Sequence, residues 1–288
     1  MADIEFAAPR SVREAVKILA GAKGKAKVLA GGTDLLVQLR AGMVRPGLIV
    51  DIKQIPELST IKKGKKGFEI GAAVPGAVLG ANKAVLKAWP GVIEGLELIG
   101  STQIQGRASL GGNLCNGSPA ADSIPGMIAA DATCKIVGPK GTRSSKVEDI
   151  VTGPGKTSLK KDEFVVSITL PERPKKSGDA YLRFIPRTEM DIAVVGAGVS
   201  LTLDKKGVCT HARVALGAVA PKPLLVKDGA KALIGTTVDA AALDALAAAA
   251  SAACNPIDDK RGTIEYRTKV AGVLARRAAV IALERARA

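Results

Sequence analysis

Two glycine pairs constrain this 288-residue chain more than any other feature. One lies in Ser109-Leu110-Gly111-Gly112-Asn113, inside the longer run from Ile99 to Asp122 (IGSTQIQGRASLGGNLCNGSPAAD). The other sits in Val28-Leu29-Ala30-Gly31-Gly32-Thr33-Asp34-Leu35. In both, an apolar run ends in Gly-Gly followed by a small polar residue. Paired glycines let backbone approach a bulky partner and supply conformations with positive φ. Successive N–H groups in such a turn form an anion-binding concavity, and an N–H bonded to a charged oxygen contributes about 1.5–3 kcal/mol. A few such bonds hold a diphosphate without a lysine, so the two stretches are expected to wrap one dinucleotide. Taken singly, each feature has a plainer reading. Gly31-Gly32-Thr33 fits an ordinary strand-to-helix turn, and Asp122 fits a helix N-cap. Neither stretch continues into Gly-Lys-Ser/Thr, which disfavours an NTPase loop.

Around these pairs the chain reads as three units. Ser11-Val12-Arg13-Glu14 is a capping box opening a helix through Leu19. Strands are expected at Lys27–Ala30 and Leu48–Ile52, with a helix over 33–39 between them. A subdomain boundary near residue 56 precedes a hairpin of 58–61 with 67–70 across the turn Lys62–Lys66. Helices follow at Pro75, Val85–Trp89, Val92–Ile99, Thr102–Gly106 and Asp122–Ala130, then strands at Thr133–Val137 and Glu163–Pro171. After the linker Arg173–Gly178, strands at 180–185, 192–203 and 208–219 precede long helices at 240–253 and 266–285. Strands followed by helices indicate a separate α+β unit.

The net charge is +15, with lysines and arginines spread along the chain. That fits a solvated basic surface or one facing an acidic partner. Aromatics are 2% of residues, which leaves little for a nucleic-acid reader built on stacking. Cys115, Cys134, Cys209 and Cys254 form no C-x-x-C pair, so no metal site is expected. The start, Met1 to Phe6, lacks an apolar h-region, and no apolar run reaches the length of a membrane span. Cytoplasmic localisation is the expectation. The one histidine, His211, lies in a strand pattern, and no nucleophile–base set surrounds the expected cleft.

Jointly, VLAGGTDL (28–35), SLGGNLCNGSPAAD (109–122), RTEMDIAVVGAG (187–198), LGAVAPKP (216–223) and EYR (265–267) resemble the medium, FAD-binding subunit of the molybdenum hydroxylases, the xanthine dehydrogenase and carbon monoxide dehydrogenase family. The resemblance spans nearly the whole chain. It implies an α+β architecture: a PCMH-type two-subdomain FAD-binding fold over 1–176 (subdomains about 1–56 and 57–176), then a smaller α+β C-terminal flavoprotein domain over 177–288. By position, Val28, Leu29, Ala30, Gly31, Gly32, Thr33, Asp34 and Leu35 would hold the diphosphate and adjacent ribose. Ser109, Leu110, Gly111, Gly112 and Asn113 would meet the diphosphate from the other side. Asp122 would bond the ribose or adenine side. Ile99 and Ile192 fall near the isoalloxazine ring, and Val165 borders the cofactor. Arg183 falls where relatives often carry lysine, as a cation able to face the flavin's pyrimidine edge, although arginine is not equivalent to lysine. The cysteine-rich insertion that some relatives carry is missing, so FAD is expected as this chain's only redox group. The implied partners are a small [2Fe-2S] subunit and a large molybdopterin subunit, in a dimer of heterotrimers. Two rivals stand beside this reading: a stand-alone flavin reductase of the same fold, and a non-catalytic basic anion-binding module.

Overall fold

The computed structural model describes residues 4–288. Met1, Ala2 and Asp3, which carry part of the signal-peptide expectation and begin the 1–176 domain, lie outside the described residues. The first unit is a three-stranded parallel sheet in the order Glu5–Ala7, Leu48–Asp51, Ala26–Leu29. Parallel neighbours need crossovers, and the helices Val12–Gly21 and Leu35–Arg40 lie along the connections. Ser11 caps the first of these, its hydroxyl accepting from Glu14 N at 3.2 Å. The Glu14 carboxylate accepts from Arg10 N at 2.8 Å, one residue earlier than a standard capping box.

The second unit is a five-stranded antiparallel sheet in the order Ile61–Gly64, Gly67–Gly71, Phe164–Pro171, Thr133–Gly138, Gly141–Lys146. Short helices between its second and third strands in sequence fill one core. There Trp89, Val92, Ile93, Leu96, Leu110, Leu114, Ile124 and Met127 are all buried. Ser123–Ala129 is buried at every residue. Gly126 has no Cβ to clash with the Gly91 carbonyl oxygen, which would lie 2.7 Å from it.

The third unit is a four-stranded antiparallel sheet, Ser177–Phe184, Val195–Leu203, Cys209–Gly217, Leu224–Leu225. Asp239 and Thr263 cap its long helices Ala240–Ala252 and Ile264–Arg287. Small residues let the last helix lie on the sheet: a Cβ on Gly178 would stand 1.8 Å from the Ala282 carbonyl oxygen. The sheet also packs against the buried helix Ser123–Ala129, where a Cβ on Gly198 would meet the Pro125 carbonyl oxygen at 2.6 Å.

Several expectations are corrected. Leu58 lies in a 3-10 turn, Pro56–Ser59, because Pro56 fixes φ in the helical range; the strand begins at Ile61. The strands Glu5–Ala7 and Gly141–Lys146 carry no apolar alternation that would have signalled them. Asp122 sits at an N-cap position but makes no side-chain cap bond, since its oxygens are engaged elsewhere. The linker is shorter than expected, with strand starting at Ser177. Arg173 pins it, donating to the carbonyls of Ala88 and Ser177 and to Asp179, with its guanidinium 4.8 Å from the Trp89 ring centroid.

Candidate functional site

The two glycine pairs meet at one place. A Cβ on Gly31 would stand 2.0 Å from the Arg107 carbonyl oxygen and 3.1 Å from Ala108 Cα. On Gly111 it would stand 2.5 Å from the Ala72 carbonyl oxygen. On Gly112 it would meet Ser109 Oγ at 3.2 Å and Ala30 Cβ at 3.9 Å. Close backbone approach is therefore what Gly31 and Gly111 supply. Only Gly32, with φ of 83°, uses the left-handed freedom expected of both pairs. The expected second turn is a helix instead, Leu110–Cys115, capped by Ser109 Oγ accepting from Gly112 N at 3.1 Å.

Between the pairs lies a cavity of about 370 Å³, inside the range of roughly 300–1,000 Å³ typical of small-molecule sites. Val28, Ala30, Gly31, Gly32, Thr33, Asp34 and Leu35 line it from the first unit. Ile99, Ser109, Gly111, Gly112, Asn113 and Val165 line it from the second. Among the described residues, the N–H groups of Gly31, Gly32, Thr33, Asp34 and Leu35 reach no protein acceptor. Five successive free donors at a cavity wall form a nest for an anion. Opposite them, the Asn113 side-chain oxygen accepts from Ser123 Oγ at 2.7 Å. That bond fixes the amide so that its NH₂ is the group left for a ligand.

Five of the expected residues do not open on the cavity. Leu29 and Leu110 turn their side chains into the protein and can offer only backbone. Ile192 is 52% exposed and stands outside the lining. Asp122 and Arg183 form a buried pair at 2.9 Å. Asp122 also accepts from the Tyr181 hydroxyl at 3.0 Å, and Arg183 donates to the Leu98 carbonyl at 2.7 Å. Burial pushes the Asp122 carboxyl up to about 6 against the opposing pull of Arg183 and Tyr181. The network thus sits behind the segment that carries Ile99.

Other lining residues carried no signal in the sequence. Gln38 Nε2 donates to Asn116 Oδ1 at 2.9 Å, joining the two units at the cavity wall. Phe164 and Val165 both line the cavity although they are consecutive in a strand; a bulge between Val165 and Ser167 breaks the register there. Glu163 stays ionised at the rim, held down to about 2 by its hydrogen bonds from Arg143 at 2.8 and 3.1 Å. Burial raises the Asp34 carboxyl, and the exposed Cys115 also lines the cavity. His211 is exposed on its strand and takes no part in the lining.

Residues 2–173 match the family model described as the FAD binding domain in molybdopterin dehydrogenase, and residues 180–281 match the CO dehydrogenase flavoprotein C-terminal domain. The chain belongs to the FAD-binding medium subunits of the molybdenum hydroxylases. The medium chain of carbon monoxide dehydrogenase from Hydrogenophaga pseudoflava is 34% identical over 95% of each chain. The xanthine dehydrogenase FAD-binding subunit from Escherichia coli O157:H7 is 32% identical over 89% of this chain and 88% of its own. Among solved structures, carbon monoxide dehydrogenase from Hydrogenophaga pseudoflava superposes with a TM-score of 0.94 at 33% identity, covering 98% of both chains. Quinoline 2-oxidoreductase from Pseudomonas putida 86 gives 0.90 at 26% identity, covering 99% of this chain and 98% of its own. This medium-subunit flavoprotein is thus an oxidoreductase subunit with the α+β FAD-binding fold of its family and a CO-dehydrogenase-type C-terminal domain. No described helix is long and apolar enough to cross a membrane.

Proposed function

We propose that this chain is the electron-transfer subunit of a molybdenum hydroxylase complex, working between the [2Fe-2S] clusters of a small subunit and an external acceptor, with substrate oxidation left to a large molybdopterin subunit. The three chains would assemble as a dimer of heterotrimers, and within this one the domains would divide near residues 56 and 176. The observation that carries this reading is the convergence of two backbone cradles, one from each N-terminal unit, on one cavity. The donor set fits a diphosphate: five free N–H groups from Gly31 to Leu35 on one side and the Asn113 amide on the other, with Lys27 as a cation in the same lining.

In this reading Gly31, Gly32 and Thr33 hold the diphosphate through backbone N–H groups, with Val28, Ala30, Asp34 and Leu35 walling the adjacent ribose. Ser109, Gly111, Gly112 and Asn113 close on it from the other side. Ile99 and Val165 give the ring system its apolar walls. Bound FAD would supply electron exchange between one-electron donors and the acceptor. Both Asp122 oxygens are already engaged, so Asp122 would hold Arg183 in place rather than a ribose hydroxyl. Ile192 would flank the exposed edge. Purification of the tagged chain from its source, with cofactor analysis, tests the reading. The expected result is FAD together with two further chains, iron and molybdenum. A chain that takes up no flavin even with added FAD would refute it.

A further inference from the structure

The free N–H groups of the first cradle belong to residues that line the cavity, and their direction is set by the peptide planes that carry them. A trans peptide is planar, with its carbonyl and N–H pointing in opposite directions. Fixing the carbonyl of one residue therefore aims the N–H of the next. Two cations outside the cavity do this. Lys53 Nζ donates to the Ala30 carbonyl at 3.0 Å and is itself held by Asp51 Oδ1 at 2.7 Å. Asp51 Oδ1 also accepts from Lys53 N at 3.0 Å, so the lysine is gripped at both ends. The next carbonyl, Gly31, accepts a longer bond from Arg107 Nε at 3.4 Å. Neither cation lines the cavity, so neither is placed to touch a ligand within it.

We propose that Lys53 is a positioning residue for the diphosphate cradle, aided by Arg107. By holding the Ala30 carbonyl outward it presents the Gly31 N–H to the cavity, and Arg107 does the same for Gly32. Lys53 comes from the segment after the strand Leu48–Asp51 of the parallel sheet, and Arg107 from the second unit. The orientation of the first cradle is therefore set by both units together. This inference rests on the reading of the cavity as a dinucleotide site, and extends it to residues that do not contact the ligand.

The test uses the full chain stripped of flavin, titrated with FAD, ADP and riboflavin at about 0.5 M salt, where long-range attraction by the lysine charge is screened. In Lys53→Met, FAD and ADP are expected to bind about tenfold more weakly, the equivalent of about 1.4 kcal/mol. Riboflavin, which has no diphosphate, keeps its affinity, and Lys53→Arg recovers most of the loss. Thermal unfolding of the ligand-free variants checks that the fold is intact. Equal weakening of all three ligands in Lys53→Met would make Lys53 merely structural and overturn the inference. Unchanged FAD and ADP binding in that variant, beside a wild-type chain that binds both, overturns the role of Lys53 and leaves the site standing. A wild-type chain that binds none of the three overturns the site and the inference together.

Discussion

Gly112 separates binding from folding more cleanly than any other position at the site. The neighbouring Gly111 is a poor probe, because its Cβ would be driven to 2.5 Å from the Ala72 backbone and would strain the domain itself. At Gly112 the added carbon meets no backbone: Ser109 Oγ lies at 3.2 Å and Ala30 Cβ at 3.9 Å, and both residues belong to the cavity wall. Gly112 lies in the first turn of a helix with no positive φ, so valine is sterically allowed there. Helix propensity slightly favours valine over glycine, by a few tenths of a kcal/mol at about this position, and the Ser109 contact needs only a small shift. Folding stability of Gly112→Val should therefore stay within about 1 kcal/mol of wild type. Binding should not. The valine methyls intrude on a close-packed wall, and overpacking costs about 1–3 kcal/mol, or roughly 5- to 150-fold in Kd. Fluorescence titration of the flavin-free chain with FAD reads the first quantity, and thermal unfolding without FAD reads the second. A variant that binds FAD with wild-type affinity would show that Gly112 does not face the cofactor, and the second cradle would have to be placed elsewhere.

Gly31→Ala should behave differently, losing FAD and stability together. The Arg107 carbonyl must move by about 1 Å to admit the new Cβ, costing about 1–3 kcal/mol in melting experiments. Asp122→Asn should change the pH dependence of stability. The Asp122 carboxyl is raised to about 6 from 3.8, so the folded state binds the extra proton between those values. Wild-type stability then falls as pH rises through that window, by up to roughly 3 kcal/mol, and the variant lacks this component. Urea unfolding from pH 4 to 7 measures the difference between the two; parallel curves refute the assignment. Arg267→Met should destabilise the C-terminal unit by about 3 kcal/mol, because the buried guanidinium donates to the carbonyls of Val194 and Ala218 and pairs with Asp259 at 2.6 Å. Calorimetry on the full chain would detect it, and an unchanged transition would count against it.

What the sequence disclosed about the site follows from how local each feature is. Glycine pairs are visible because a residue without a side chain between apolar runs has few other uses, so both cradles could be read directly. Their mechanism could not. The reason for Gly31 is the Arg107 carbonyl, and the reason for Gly111 is Ala72, neither of which adjoins it in sequence. The aim of Asn113 depends on Ser123, and the wall closed by Gln38 depends on Asn116; both are tertiary facts. Lys53 and Arg107 were invisible for a related reason: a lysine or arginine between apolar segments reads as surface, and only the fold brings each to a carbonyl of the glycine turn. The same limit explains the strand Gly141–Lys146, whose polar residues form an edge with little burial to pattern.

The basic composition takes on a different meaning once the pairs are traced. Three arginines of the C-terminal unit reach carboxylates of the preceding one: Arg183 to Asp122, Arg213 to Asp131 and Glu148, and Arg285 to Glu94. Arg213 also donates to the Ile128 carbonyl, and Glu94 also accepts from Tyr181 N, so these contacts reach backbone on both sides. Solvent-exposed ion pairs contribute little; these are partly buried, and Arg183 and Asp122 retain only 4% and 10% exposure. Removing one partner of such a pair costs about 3–5 kcal/mol because the other charge is left buried and alone. The consequence for the site is mechanical. Arg183 holds the Leu98 carbonyl, Leu98 precedes Ile99, and Ile99 is a wall of the cavity. The C-terminal unit therefore braces one end of the proposed flavin site through a single buried arginine, while the glycine turns hold the diphosphate by backbone contacts of their own. Weakening that brace should alter the environment of the ring before it alters the hold on the diphosphate.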